Sequence, residues 1–190
     1  MTRQAASNAN SSVVPYAIAS DFCRIFAENM NGLYQLALCL TAEPAKAEQC
    51  FVSGLEDSLS SNRVFKDWAH SWARRAVVQN AIRVMQPARK QTATAPVAAP
   101  SGEVRASDND ALLAALLGLP TFERFVFVMS VLERHSDQDC KTMLGCSRQD
   151  IVRARAQALK RLGASAQRPG ADVAIGSKVF VQRRLMAETA

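Results

Sequence analysis

The side chains of this chain best suited to chemistry are cationic or amide-bearing, and their chemistry is recognition of a polyanion. Between Ser147 and Leu162, Arg148, Arg153, Arg155, Lys160 and Arg161 stand against a single acid, Asp150, with Gln149 and Gln157 among them. In a DNA major groove an arginine fork matches the O6/N7 edge of guanine, and a glutamine amide matches the N6/N7 edge of adenine. Arg153 and Gln149 are therefore the candidates for base edges. Arg148, Lys160 and Arg161 suit phosphates, which carry no sequence information. Bond-making chemistry has no comparable signature. There is no glycine-rich phosphate loop, paired-carboxylate motif or Ser/His/Asp pattern, and His70 and His135 stand apart from any metal-ligand cluster. The expectation is a protein that is not an enzyme and uses no cofactor or metal.

Such side chains must be held by a rigid element. The run Ser136–Leu162 reads as a helix-turn-helix. Two helix starts repeat one signature, Ser136-x-x-Asp139 and Ser147-x-x-Asp150. In each, the serine oxygen accepts from an otherwise unpaired N–H and the aspartate reaches back. Gly145 sits between them, where the chain turns sharply and φ > 0 is required. At 100° per residue, Ile151, Ala154, Ala158 and Leu162 share the buried side, whereas Gln149, Arg153, Ala156, Gln157 and Lys160 face away. Arg155 lies at the stripe's edge, either snorkelling along its stem or spoiling the packing. A helical hairpin of this kind can also be purely structural, and a basic helix face can simply be solvated.

Composition fits a helical, modestly basic protein. The 190 residues carry a net charge of +6, and 48% apolar content with only 6% aromatics suits helical cores rather than a β-rich fold. The five cysteines, at 23, 39, 50, 140 and 146, include no Cys-x-x-Cys pair and read as core thiols. No apolar run reaches transmembrane length and no secretory segment opens the chain, so an intracellular, cytoplasmic protein without membrane insertion is expected.

The organisation expected is all-α, with two small helical domains joined by a flexible linker. Residues 1–18 form a disordered arm. Residues 19–86 form the first domain. Its opening helix has Phe22, Ile25, Phe26, Met30, Leu33, Tyr34, Ala37 and Leu40 on one face, and a second helix starts at Pro44. Gly54 weakens that second helix by about 1 kcal/mol. A third helix, Arg63–Met85, buries Val64, Phe65, Trp68, Trp72, Ala76, Val78 and Ile82. It also carries Arg63, Lys66, Arg74, Arg75 and Arg83, which either are solvated or track phosphates. Residues 87–107, rich in Pro, Ala and Thr, form the linker. Residues 108–163 form the helix-turn-helix domain of four helices. The first of these is capped by Ser107-x-x-Asp110. The second opens at Pro120 and runs through Phe125, Phe127, Val128, Val131 and Leu132. In the tail, 164–190, Val173, Ile175, Val179 and Val181 form a weak strand pair or nothing stable alone.

Two segments carry a family resemblance. Leu33–Gln49, LYQLALCLTAEPAKAEQ, resembles the opening of the first domain of bacterial sigma factors of the extracytoplasmic-function type, and Phe65-x-x-Trp68-x-x-x-Trp72-Ala73-Arg74 resembles that family's Trp-containing third helix. The second domain is similar from Leu119-Pro120 through Leu144-Gly145-Cys146-Ser147 and Ile151 to Leu162. The chain is identified as a divergent member. The resemblance implies a dissociable RNA polymerase subunit that binds the core enzyme and recognises promoter DNA. The front domain would capture an unstacked base of the −10 element, and the last helix would read the −35 major groove. It also implies a polymerase-facing set, Glu48, Gln49, Val52 and Ser53, and a possible anti-sigma factor as a further partner. Val52 and Ser53 stand where the family usually carries Gln-Glu, Arg75 and Gln79 where it carries Asn and Asp, and the Leu55–Trp68 connection is shorter than usual. The alternative is a sigma-derived regulator that binds DNA or protein without a productive holoenzyme.

Overall fold

The computed structural model describes residues 15–61, 63–87 and 108–166. These residues are all-α, with no strand among them. The expected cap at Ser107, most of the linker and the suggested strand pair near Gly176 lie outside the described residues.

Eight helices follow in order: α1 (Ala19–Glu28), α2 (Met30–Thr41), α3 (Pro44–Leu59), α4 (Ala69–Met85), α5 (Asp108–Leu117), α6 (Thr121–Phe127), α7 (Asp137–Leu144) and α8 (Arg148–Ala166). A 3-10 turn, Lys66–Trp68, precedes α4, and a π turn, Val128–Leu132, continues α6. The opening helix expected over Ala19–Leu40 is two helices. Asn29 donates from both its backbone N–H and its side-chain amide to the Ile25 carbonyl, each at 3.0 Å, and leaves helical dihedrals at φ −110° and ψ 21°. An Asn side chain competes in this way with the helical ladder. The break turns Met30 out to solvent while Leu33, Leu36, Ala37 and Leu40 stay buried.

Of the arm expected over residues 1–18, residues 15–18 are described and are held in the fold, whereas 1–14 lie outside the described residues. The Pro15 carbonyl accepts from the Lys66 N–H at 3.0 Å, and the Ala17 N–H donates to the Val64 carbonyl at 2.7 Å. Ala17 is buried with Phe22, Val64 and Ala69 in a small satellite core. Residues 15–18 are thus fixed by two backbone bonds and one apolar side chain.

Gly54 is a packing requirement as well as a helix weakness. A Cβ built there would meet Val77 Cγ2 at 3.0 Å and the Val77 backbone at 3.3 Å, because α3 and α4 approach closely at this point. The buried residues of α4 are small or medium-sized: Ala69, Ala73, Ala76, Val77, Val78, Asn80 and Ala81. Gly54→Ala should lower stability by about 1 kcal/mol, since overpacking of about 1–3 kcal/mol outweighs a propensity gain of about 1 kcal/mol. Urea unfolding tests this, and a stabilised variant would show that α4 yields.

The aromatic residues before and at the start of α4 call for a second correction. Phe65, Trp68 and Trp72, expected in the buried stripe, are exposed, Trp68 to 66%. The α-helix begins only at Ala69, so Trp68 falls in the preceding 3-10 turn, and Trp72 stands beside the buried Ala69, Ala73, Ala76 and Val77 rather than among them. Val131 and Leu132, at the end of the helix expected from Pro120, are exposed. The π turn shifts the register after Val128, whose carbonyl accepts from the Glu133 N–H at 2.9 Å. Among the cysteines, Cys50 and Cys140 are buried and their thiols are pushed up to about 11 by burial. Cys39 and Cys146 are half-buried, and Cys23 is exposed rather than a core thiol.

The two helical groups, α1–α4 and α5–α8, share one hydrophobic interior. Phe26, Leu33, Leu40 and Val77 of the first belong to the same buried cluster as Leu116, Phe125, Met129, Ile151 and Ala158 of the second.

Candidate nucleic-acid interface

The helix-turn-helix forms as its caps dictate. Ser136 Oγ accepts from the Asp139 N–H at 3.1 Å while Asp139 Oδ2 accepts from the Ser136 N–H at 3.3 Å. The second start repeats this, with Ser147 Oγ accepting from the Asp150 N–H and Asp150 Oδ2 accepting from the Ser147 N–H, both at 3.2 Å. Gly145 ends α7 in the left-handed region at φ 62°. A side chain there would be strained, which is why glycine suits the turn.

On α8, Ile151, Ala154, Ala158 and Leu162 are buried, and Gln149, Arg153, Ala156, Gln157 and Lys160 are exposed, as their angular positions require. Arg155 does not spoil the packing. Its Nε donates to Ser130 Oγ at 3.0 Å and its guanidinium bonds Asp137, tying α8 to the π turn and to α7. That hydrogen bond holds the Asp137 carboxyl below its usual range. Arg148 stands more loosely over the same carboxylate at 3.4 Å. Arg161 Nε lies 2.9 Å from Glu123 Oε2, an ion pair off the hydrogen-bond axis, since that oxygen has no hydrogen-bond partner. Arg153 and Lys160 form no ion pair among the described residues. The outward cations nearest the middle of α8 therefore face solvent uncompensated.

The cations of the first group are placed differently. Arg74 makes a two-pronged bond to Glu133, with Nε 2.7 Å from Oε2, and this pairing raises the Arg74 pKa. Arg74 thus joins α4 to the residue that follows the π turn. Arg83 donates to Asp57 at 2.6 Å, and Asn80 donates to the same oxygen at 3.0 Å. Arg75 is half-buried and close enough to Asp139 to help lower that carboxyl's pKa, after the larger effect of the Ser136 hydrogen bond. Glu48, Gln49 and Val52 are exposed along the outer side of α3, and Ser53 is half-buried.

One exposed group escaped the sequence reading. Tyr16 stacks on Phe65 with centroids 4.9 Å apart and 32° between planes, and Phe65 meets Trp68 edge-on at 5.4 Å. Trp72 is beyond them, its indole N–H donating to Ser61 Oγ at 2.9 Å. Phe65 thus touches both Tyr16 and Trp68, and the three rings form an exposed aromatic surface of the kind on which bases stack without regard to sequence. The Phe65/Trp68/Trp72 spacing was visible in the chain, but Tyr16 could be added only once the bridge to Phe65 was known.

Arg124 also went unremarked. It is buried, and its guanidinium donates to the carbonyls of Leu40 at 3.1 Å, Leu119 at 2.9 Å and Leu117 at 3.1 Å, with Thr41 at 3.3 Å. α2 ends at Ala42 in the left-handed region, φ 59°, which leaves its last carbonyls to be satisfied from outside. An arginine from the other helical group meets that need.

No family model matches the chain, and no curated protein matches it. Among the described residues no helix is long and apolar enough to cross a membrane, and no cluster of His, Cys, Asp and Glu could hold a metal ion.

Proposed function

We propose that this chain is a sigma-type transcription initiation factor that binds core RNA polymerase and directs it to promoters. The observation that carries the reading is the outward face of α8, where Gln149, Arg153 and Lys160 project from a capped, buried-backed helix beyond a glycine turn. In this reading α8 enters a major groove, with Arg153 and Gln149 on base edges and Arg148, Lys160 and Arg161 on phosphates. The aromatic group at Tyr16, Phe65 and Trp68 takes unstacked bases of the opened strand. Glu48, Gln49 and Val52 supply the face toward polymerase. Run-off transcription with core polymerase tests it: transcripts that depend on this protein support the reading, and their absence on every template of a genomic library removes it.

Trp68→Ala should weaken binding of single-stranded DNA by about 1–3 kcal/mol, the range for loss of one stacking partner. Trp68 is too exposed to matter greatly to the core. Fluorescence titration with a labelled oligonucleotide measures this, and an unchanged affinity would take the aromatic surface out of the proposal.

A second reading is favoured by the interior shared between the two helical groups. A protein whose halves stay together could bind DNA or a protein partner, such as an anti-sigma factor, without forming a productive holoenzyme. Co-purification with core polymerase distinguishes the two, since the second reading requires none.

A further inference from the structure

The outward face of α8 is not purely polar. Val152 is 51% exposed and Leu159 52%, and Ala156 lies exposed between them. Val152 and Ala156 line a shallow concavity whose rim is Arg148, Gln149 and Arg153. On a helical wheel Val152 sits about 60° from Gln149 and about 40° from Ala156, so the three share one face. Neither apolar side chain is needed by the core, which Ile151, Ala154, Ala158 and Leu162 already fill.

The rim decides what this apolar patch can meet. It carries two arginines, with Lys160 further along. Of the acids beside it, Asp150 is half-buried and engaged in the Ser147 cap, and Asp137, 3.4 Å from Arg148, is already bonded by Arg155, which leaves Arg153 uncompensated among the described residues. A polyanion complements such a rim. In the major groove the apolar group that base edges present is the 5-methyl of thymine. We infer that Val152 and Ala156 form the contact for a thymine 5-methyl group, making Val152 a specificity-determining residue beside Arg153. This inference rests on the duplex-reading role of α8. Val152 and Ala156 are separated by about 6 Å along the helix axis, close to two base-pair steps of about 3.4 Å.

The test uses the full chain and a duplex selected by it from a randomised library. Each thymine is replaced in turn by deoxyuridine, which removes the 5-methyl and leaves every hydrogen-bonding group in place. One or two positions should lose affinity roughly fourfold, the equivalent of one methyl returned to water. Val152→Ala should weaken binding to the thymine duplex by a similar factor and shrink the thymine/deoxyuridine difference at that position below about twofold. Arg153→Ala should weaken both duplexes alike and keep the ratio. The inference is overturned if no deoxyuridine matters, or if Val152→Ala retains the full difference. It is also overturned if sedimentation shows a dimer that Val152→Ala dissolves, which would give the patch to a second copy. Sequence-selective binding without a methyl effect removes only this inference, whereas absence of duplex binding removes the role of α8 as well.

Discussion

Arg124→Ala should lower the stability of the full chain by about 3 kcal/mol, a large fraction of the roughly 5–15 kcal/mol typical of a domain. The buried guanidinium is the donor for four carbonyls, two at the end of α2 and two around the end of α5. Each buried acceptor left unpaired costs about 1–3 kcal/mol. The sum is not realised in full, because burial disfavours the cation itself and pushes its pKa down. Removing the charge recovers part of that cost. Arg124→Lys should restore less than half the loss, since an ammonium cannot span carbonyls on two helices as a planar fork does. Urea unfolding monitored by circular dichroism measures both variants. A loss below about 1 kcal/mol for the alanine variant would show that the α2 terminus finds other donors.

Arg153→Ala should weaken binding to the preferred duplex by about 1–3 kcal/mol and relax base preference at one position, while random duplexes lose far less. The side chain is exposed and lacks an ion-pair partner among the described residues, so its removal should leave folding intact. Lys160→Ala should behave differently. It should reduce affinity for all duplexes by a similar factor and flatten the dependence on salt by about one released counterion. Arg161 is expected to contribute less than Lys160, because it must first give up Glu123 at 2.9 Å. Gel shifts across a salt series separate these behaviours. Equal losses on preferred and random duplexes for both variants would contradict the division into base-reading and phosphate-gripping residues.

Much of this was legible in the sequence where local rules act alone. The serine caps at 136 and 147, Gly145 in its turn, Pro44 opening α3 and the Ile151/Ala154/Ala158/Leu162 stripe each depend on neighbours within a turn or two. All are seen in the fold. The misreadings arise where a helix starts or changes its period, or where tertiary contacts intervene. Trp68 and Trp72 have core-like spacing, but Trp68 falls in the 3-10 turn before α4 and Trp72 stands beside the buried Ala69, Ala73, Ala76 and Val77. The single helix expected from Pro120 through Leu132 gives way at Val128 to a π turn, which leaves Val131 and Leu132 exposed. Arg74 and Arg124 look like surface cations in the chain. Their partners lie 59 residues away at Glu133 and 84 residues away at Leu40, distances over which no pattern reaches. The aromatic surface failed to appear for the same reason, since Tyr16 meets Phe65 only through a bridge between distant segments.

The interior common to both helical groups has a consequence for every ligand that needs them apart. Separation would bare Leu40, Leu116 and Phe125 to water, break the Arg124 bonds to Leu40 and Thr41 and break the Arg74 fork on Glu133. If the separated form is scarce at rest, apparent affinity for such a ligand falls in proportion to that scarcity. A ligand satisfied by the joined form, as a duplex on α8 alone would be, escapes the penalty. Loosening the seam by mutation would then sharpen one class of association and leave the other where it was, so the seam itself sets which encounters this protein favours.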